Sequence, residues 1–498
     1  MWSLSGARLV ADNSALGRIE LQPFGGSLVS VRAEGPDGRA IPLVNSHGRL
    51  TPRKQVAPGE RISLSVVVRR PGWESWALGS ERHETLTVQT PVATVANRWV
   101  TVARGARAHV RFDTPVDRVS VAGVAVAGDT VTLPTKTAAG SVALASAARP
   151  WERLGNPVRV TWFPRSTRPI VLVSPSPNGH VDPLAPIELT FSEPVADVLG
   201  SAMPTLVPSV RGHWTTLDDH TLAFRPSGGG AAFNTRLTVR LPSALVVAGV
   251  TGLDAHTTKS IRLSIAPASF LRLQQLLAQE NYLPLDWVPA QGDVQKNMRS
   301  ELAAAVSAPA GQFQWRYPNT PPELQALWKA GEPNTITRAA VMMFQHEHHL
   351  AVDGIAGPDV WHAILTDAIA GKRRTAGYSY VYVHRNVPQH LTLWHNGRVV
   401  LTSPGNTGVP VAPTALGTWP VFEHIPVGRM SGRNPDGSHY NDPGIRWISY
   451  FHGGEALHAF NRASFGTPQS LGCVELPLDA AAKVWPYTPI GTLVTIEN

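Results

Sequence analysis

The sequence predicts a multidomain protein with all-β sandwiches on the N-terminal side, a small three-helix domain and a mostly-β C-terminal domain. The chain has 498 residues, and at about 100–200 residues per domain this length corresponds to three to five domains. Short alternating runs between Gly and Pro turns predict strands at both ends, and helical apolar spacing separates them. We therefore expect β-domains at 1–95, 96–168 and 169–267, a helical domain at 268–372 and the C-terminal domain at 376–498.

The three β-domains are predicted from strand-length runs in which apolar and polar residues alternate. These runs lie at 61–68, 84–88, 119–126, 170–175, 187–195, 221–226 and 237–242. In the third domain the segment SPSPNGHVDPLAPIELTFSEPV resembles the bacterial Ig-like repeats of surface proteins, which implies a β-sandwich. A stalk and a partner-binding region are both open as roles for this half of the chain.

The net charge of +8 is concentrated in the N-terminal half. Residues 1–269 contain 28 Lys and Arg against 19 Asp and Glu, whereas residues 376–498 contain 7 of each. Anionic wall polymers or a membrane surface could use this excess, and it also fits a role in solubility alone. No Lys or Arg run is interleaved with aromatic residues, so we expect no nucleic-acid partner.

The sequence shows no recognisable export signal and no membrane-spanning stretch. The first 30 residues lack a charged segment followed by an apolar one, and no stretch reaches the roughly 18 apolar residues of a membrane helix. Cys473 is the single cysteine, so no internal disulfide framework is possible. A lone thiol of this kind is either a buried inert residue or a reactive one.

The middle of the chain changes to helical spacing. Apolar residues at 270, 273, 276, 277 and 283 predict one helix, and further helices are predicted over 337–350 and from Pro358, a residue suited to the first turn. The segment TRAAVMMFQHEHHLAVDGIAGPDVWHAIL resembles the second half of a small three-helix peptidoglycan-binding domain, apart from an insert of about 50 residues before it. We interpret Phe344, Ile355 and Trp361 as packing residues.

Three histidines on the second of these helices suggest a metal site, but the pattern is incomplete. His346 and His349 lie about one turn apart, with His348 between them. No carboxylate or cysteine nearby completes a usual ligand set, so we interpret them as a solvated helix face. We expect no metal and no organic cofactor.

The C-terminal domain is predicted to be strand-rich. Strands are expected at 378–383, 390–394, 398–403 and 492–496, and a helix at 479–485. Asn396 and Gly397 form the dipeptide that most strongly predicts a two-residue hairpin turn.

Cys473 and His458 are the candidate nucleophile and base. They lie 15 residues apart, so strand ends joined by a loop would bring the sulfur and the imidazole together. Gly472 gives the turn its freedom, and backbone N–H groups there are expected to hold an oxyanion, supported by Ser470 and Ala459. Taken alone, one His and one Cys fit a buried structural cysteine better.

The surrounding residues change that balance. This part of the chain resembles the signature of L,D-transpeptidases of the YkuD-like kind. The signature is a His followed by a small residue, then a Gly-containing loop, and then Ser-Leu-Gly-Cys in this chain. The resemblance extends over 378–498, including PQHLTLWHNGRVVLTSPGNTG, PTALGTW and GTLVTI. It implies a nucleophilic Cys473 with His458 as its base, which is expected to lower the thiol pKa below its free value of about 8.5. His452 is the rival base.

Two residues beside the nucleophile depart from the family pattern. The family usually has His where this chain has Leu471, and Arg or Asn where it has Glu475. If Glu475 points into the cleft, we expect it to repel a free carboxylate and to favour an amidated or neutral diamino acid. Tyr440, His424 and His439 are further candidates for the cleft wall, on position alone.

The resemblance implies a reaction on peptidoglycan stem peptides. A thioester forms on Cys473, D-alanine leaves, and a second stem accepts the acyl group in a 3-3 cross-link, or water does so in an L,D-carboxypeptidase reaction. The expected partners are stem peptides and glycan, with anionic wall polymers for the basic half, at the cell wall or cell surface. One alternative is a non-catalytic wall-binding spacer. A papain-like protease does not fit, because its Cys comes before its His.

Overall fold

The computed structural model describes residues 6–22, 26–103, 106, 108–127, 131–133, 139–248 and 257–498. It is a multidomain, strand-rich protein whose helices are concentrated between residues 270 and 370. None of its described helices has the length and apolar character needed to cross a bilayer.

The first β-unit packs two sheets, ordered β1-β2-β5-β4 and β3-β6-β7, around one apolar core. In β6 the side chains alternate strictly between buried and more exposed, as the sequence pattern predicts. Trp151 reaches this core from the second unit. The elements are β1 (Ala7–Val10), β2 (Gly17–Leu21), β3 (Ser27–Glu34), β4 (Leu43–Ser46), β5 (Arg49–Pro52), β6 (Arg61–Arg69), α1 (Gly72–Leu78) and β7 (Glu81–Gln89).

The second β-unit has a five-stranded sheet, ordered β11-β10-β13-β14-β8, and a short β12-β9 pair. The run predicted at 119–126 is two strands, because Ala122 and Gly123 both adopt positive φ and turn the chain back. The elements are β8 (Trp99–Val102), β9 (His109–Val110), β10 (Arg118–Val121), β11 (Val124–Ala127), β12 (Val131–Thr132), β13 (Gly140–Ala147) and β14 (Val158–Pro164).

The third β-unit is one eight-stranded sheet, ordered β16-β22-β21-β15-β17-β20-β19, with β18 paired to β21. Its Ig-like character stays a prediction. The elements are β15 (Ile170–Ser174), β16 (His180–Val181), β17 (Ile187–Phe191), α2 (Val195–Leu199), β18 (Thr205–Val207), β19 (Gly212–Asp218), β20 (Thr221–Pro226), β21 (Arg236–Ala248) and β22 (Thr258–Ile265).

The helical unit contains the three predicted helices, α3, α6 and α7, and Pro358 begins the last of them. It is larger than the predicted three-helix domain, because the insert adds two helices and an antiparallel β23–β24 pair. The elements are α3 (Phe270–Gln279), β23 (Leu285–Pro289), α4 (Met298–Val306), β24 (Gly311–Trp315), α5 (Pro322–Ala326), α6 (Thr335–Glu347) and α7 (Pro358–Ala370).

A buried glutamine closes the loop between α6 and α7. The Gln345 side chain accepts from the N–H groups of Asp353 and Gly354 and donates to the Asp353 carboxylate and the Ile355 carbonyl. This arrangement leaves Ile355 65% exposed, so its predicted packing role is wrong, whereas Phe344 and Trp361 are buried. His348 Nε2 lies 2.7 Å from the Asp367 carboxylate, and this contact joins α6 to α7.

The C-terminal unit packs two sheets, ordered β27-β26-β25-β33-β28 and β29-β30-β31-β32, against a shared core. The predicted Asn396–Gly397 turn is confirmed, since both residues have positive φ. The elements are β25 (Ser379–His384), β26 (His390–His395), β27 (Arg398–Pro404), β28 (Gly417–Pro420), β29 (Glu423–Arg433), β30 (His439–His452), β31 (Glu455–Ala459), β32 (Val474–Leu476), α8 (Leu478–Val484), a 3-10 turn (Trp485–Tyr487) and β33 (Leu493–Glu497).

The helical and C-terminal units share one apolar core. Tyr378, Tyr380, Trp394 and Leu493 of the C-terminal unit belong to the same buried cluster as the helices. The Trp394 indole also donates to the Asn319 carbonyl at 3.0 Å. The helical unit is therefore fixed to the C-terminal unit by buried contacts rather than by a linker alone.

Candidate active site

Two parallel strands bring the candidate nucleophile and base together. In the β31–β32 pair, Leu457 lies opposite Val474 and His458 lies opposite Glu475, and Cys473 immediately precedes β32. Because side chains alternate along a strand, those of His458, Cys473 and Glu475 lie on one face of the pair. All three line a cavity of about 330 Å³ at this face.

The His458 ring is held as a neutral base. The residue is 3% exposed, and its Nδ1–H donates to the carbonyl of Ala459 at 3.0 Å. A carbonyl only accepts, so Nδ1 carries the proton and Nε2 is left as the basic nitrogen. Burial lowers the pKa of His458 and keeps the imidazole uncharged near neutral pH.

The Cys473 thiol is held in its protonated form. It is half-buried, and its S–H donates to the carbonyl of Gly454 at 3.7 Å. The pKa of Cys473 is raised to about 11, chiefly by burial; a hydrogen bond from the Ala456 N–H acts against this rise, and the nearby Glu475 and Glu455 add to it. The expected lowering of the thiol pKa is therefore wrong for this state of the site.

A tight turn fixes the backbone that precedes Cys473. The Ser470 hydroxyl donates to the carbonyl of Cys473 at 2.5 Å and accepts from the Gly472 N–H at 3.2 Å. Gly472 has φ +115°, which favours glycine, and an added Cβ would lie 3.3 Å from the Glu455 side chain. Ser470 is thus a buried support of the turn.

The hydrogen bond to Ser470 changes the expected oxyanion site. It occupies the N–H of Gly472, which the sequence analysis had assigned to an oxyanion. Within the described part of the chain, no acceptor is bonded to the N–H of Cys473. This amide is therefore free to donate to a further acceptor.

Glu475 is paired to a cation that the sequence analysis missed. Its buried carboxylate accepts two hydrogen bonds from Arg462, from Nε at 2.8 Å and from Nη2 at 2.7 Å. Arg462 also donates to the Gln469 carbonyl and lies over the Phe460 ring, 4.6 Å from its centroid. Glu475 does line the cavity, but its charge is balanced by a guanidinium in the same wall.

The other predicted residues divide into two groups. Leu471 and Tyr440 line the cavity, together with Met430, Asn434 and Asp442 from the β29–β30 hairpin, which sequence reasoning missed.

His452 lies outside the cavity lining. Its Nδ1 is 3.2 Å from the Glu455 carboxylate, and its ring is 4.4 Å from the ring of Trp419. His424 stacks on Trp485 instead of lining the cavity, and His439 is also outside it.

Solved structures of L,D-transpeptidases resemble this chain at low identity. The Mycobacterium smegmatis enzyme is 11% identical and is aligned over 66% of this chain and 99% of its own, with a TM-score of 0.23. The Enterococcus faecium catalytic domain is 22% identical over 24% of this chain and 96% of its own, with a TM-score of 0.22. L,D-transpeptidase 3 of Mycobacterium tuberculosis is 12% identical over 66% and 97%, also with a TM-score of 0.22. These TM-scores support no conclusion about the whole chain.

Two family models match the sequence, and no curated protein does. Residues 378–496 match the L,D-transpeptidase catalytic domain, and this range contains the β31–β32 pair with Cys473 and His458. Residues 329–364 match a peptidoglycan binding domain and include α6 and the loop closed by Gln345. The chain therefore carries an L,D-transpeptidase catalytic domain of the YkuD family together with a peptidoglycan-binding domain.

Proposed function

We propose that this chain is an L,D-transpeptidase in which Cys473 takes the acyl group of one peptidoglycan stem peptide and passes it to another. The observation that carries this proposal is the placement of Cys473 and His458 on one face of two parallel strands, at one cavity. A neutral imidazole beside a protonated thiol is the pair required for general-base activation during attack. It differs from a preformed thiolate–imidazolium pair.

In the proposed acylation step, the Cys473 sulfur attacks the carbonyl carbon of the third stem residue, a diamino acid. His458 Nε2 takes the thiol proton, and the N–H of Cys473 donates to the oxyanion. When the carbon–nitrogen bond breaks, His458 returns the proton to the leaving amine, and D-alanine departs. The product is a thioester on Cys473.

In the second step, the side-chain amine of another stem attacks the thioester carbonyl and gives a proton to His458. The sulfur leaves and recovers that proton, which closes the cycle with a 3-3 cross-link. If water attacks instead, a tripeptide stem is released. Incubation with disaccharide tetrapeptides followed by mass spectrometry distinguishes the outcomes, since cross-linked dimers indicate transpeptidation and tripeptides indicate hydrolysis. Neither product would appear if the proposal is wrong.

The raised thiol pKa also favours a second candidate, a wall-binding protein with an inert thiol. A protonated, half-buried cysteine bonded to a carbonyl is a state that a structural thiol also adopts. The two candidates differ in what His458 does, because only an enzyme depends on its basic nitrogen.

The pH profile of thiol alkylation tests this description of the site. Because the pKa of Cys473 is raised to about 11, iodoacetamide should react about tenfold faster per pH unit from 7 to 9, with no plateau below about pH 10. His458→Ala should leave this profile nearly unchanged but slow D-alanine release by about 10²-fold or more. A plateau at neutral pH would show a preformed ion pair.

His452→Ala is the matched control and should slow neither reaction. Loss of activity in that variant would move the role of the base to His452.

We further propose that the helical unit holds the enzyme on peptidoglycan through the surface around Ile355. This exposed side chain borders a cavity of about 780 Å³, which is also lined by Arg338 and Trp361 and by Phe233 of the third β-unit. Arg338 is the single charged side chain of that lining, and it would suit an anionic stem peptide.

Wall binding can be tested in the full chain. We expect Ile355→Glu to lower co-sedimentation with insoluble peptidoglycan at least fivefold. The variant places a carboxylate on an apolar surface, where it would also repel an anionic stem peptide. Val124→Glu, a similarly exposed residue of the second β-unit, is the control and should sediment like the wild type. Equal sedimentation of the two variants would remove Ile355 from the binding surface.

A further inference from the structure

The β6–β7 hairpin ends in a tip with two exposed tryptophans. The short helix α1 lies within this tip, and Trp73 and Trp76 are 54% and 84% exposed. Trp76 has the highest exposure of all large apolar side chains in the described residues. Three residues apart on a helix, the two indoles lie on one side, whereas Glu74 is buried. Water-exposed indoles of this extent are costly unless a partner covers them.

Several polar groups of this tip are bonded within the tip itself, although Arg70 Nε is buried without a partner. The Trp76 indole N–H donates to the Trp73 carbonyl at 2.9 Å. Arg70 Nη1 donates to the carbonyls of Leu78, Gly79 and Glu81, at 2.6, 3.1 and 2.7 Å. Groups that are bonded in this way can enter a low-dielectric medium without losing hydrogen bonds to water.

The surroundings of the tip are apolar and carry charges of both signs. Leu28 and Val29, 38% and 44% exposed, lie in β3 beside the end of β6, and Leu78 is exposed at the end of α1. Arg69, the last residue of β6, is exposed and makes no ion pair within the described residues, and the exposed Glu81 lies opposite it in β7. The whole N-terminal half is basic, with 28 Lys and Arg against 19 Asp and Glu over residues 1–269.

We propose that the Trp73–Trp76 tip docks the N-terminal β-unit on an anionic phospholipid bilayer. The indoles would lie at the headgroup level, where tryptophan is favoured, and Arg69 would face the anionic headgroups. A glycan is the weaker candidate, because sugar hydroxyls need hydrogen-bond partners, and Arg70 Nη1 and the Trp76 indole N–H are already used internally. The inference does not depend on the proposed catalysis, which concerns the opposite end of the chain.

Vesicle co-sedimentation of the full chain tests the proposal. With vesicles of equal phosphatidylglycerol and phosphatidylcholine, we expect the Trp73→Ser/Trp76→Ser variant to bind at least tenfold more weakly than the wild type. Arg69→Gln should bind several-fold more weakly, and only on the anionic vesicles, since pure phosphatidylcholine lacks the charge that it meets. The control Val124→Ser/Leu154→Ser removes exposed apolar side chains of the second β-unit and should bind like the wild type.

Three results would overturn the proposal. Equal vesicle binding by wild type and the Trp variant would show that the tip does not meet the bilayer. A wild-type dimer by light scattering that the Trp variant abolishes, without vesicle binding by either, would assign the tip to a second copy of the chain. Loss of peptidoglycan binding alone in the Trp variant would assign it to glycan.

Discussion

Replacing Cys473 by Ala is expected to lower D-alanine release from tetrapeptide stems by about 10³-fold or more. The chain has no other cysteine, and the neighbouring Ser470 hydroxyl is occupied by the Cys473 carbonyl and the Gly472 N–H. Among the described residues that line the cavity, no second cysteine and no free serine is therefore present to take over acyl transfer. The measurement is D-alanine release from purified tetrapeptides, by the wild type and the variant.

The matched control is Ser470→Ala, which should keep part of the activity, because it removes a support of the turn and not the nucleophile. Both variants should bind insoluble peptidoglycan like the wild type, since the helical unit is unchanged. If Cys473→Ala retains release within tenfold of the wild type, the nucleophile is another group.

Replacing Arg462 by Met is expected to destabilise the C-terminal unit by about 3–5 kcal/mol, because it leaves the buried Glu475 carboxylate without its cation. The corresponding fall in the midpoint of thermal unfolding is about 10 °C at pH 7. Differential scanning calorimetry of both proteins at pH 7 measures this difference.

Two further variants separate the charge from the packing. Glu475→Gln should cost less, because Arg462 is partly exposed and can be solvated. Adding Glu475→Gln to Arg462→Met should restore much of the lost stability, since no buried charge is left unpaired. If the double variant is no more stable than Arg462→Met alone, the ion pair is not the source of the loss.

The pairing of Arg462 with Glu475 also revises the specificity expected from the sequence. A bare Glu475 in the cleft would have repelled a free carboxylate, but here its two oxygens are bound by a guanidinium. We therefore expect the wild type to be acylated by amidated and free-acid stems at similar rates, as it would if the cleft wall carried no net charge. In Arg462→Met the rate on amidated stems, divided by the rate on free-acid stems, should rise. An unchanged ratio would exclude Glu475 from substrate selection.

Regular periodicity is the reason that much of the fold could be predicted from the sequence. The strict alternation of β6 and the apolar spacing of α3 and α6 each permit one secondary structure. The insert before α6 and the long β29–β30 hairpin could not be predicted in this way. Both are rich in Gly, Pro and Asn, and their partners are fixed by tertiary contacts.

The candidate site could be predicted only where chemistry and sequence position coincide. Cys473 and His458 carry recognisable chemistry at a recognisable spacing. Arg462 gave no such signal, because its contact with Glu475 depends on the path of the loop between β31 and β32. The raised pKa of Cys473 and the lowered pKa of His458 likewise arise from burial, which motif spacing does not encode.

The central claim, that Cys473 carries the acyl group, is tested most directly by intact-protein mass spectrometry of the enzyme mixed with a tetrapeptide stem. The claim predicts a mass increase equal to the stem without its terminal D-alanine, localised to Cys473 by peptide mapping and removed by hydroxylamine, which cleaves thioesters. It also predicts no such adduct on Cys473→Ala. Release of D-alanine without any adduct under rapid acid quench, or an adduct that persists in Cys473→Ala, would contradict it.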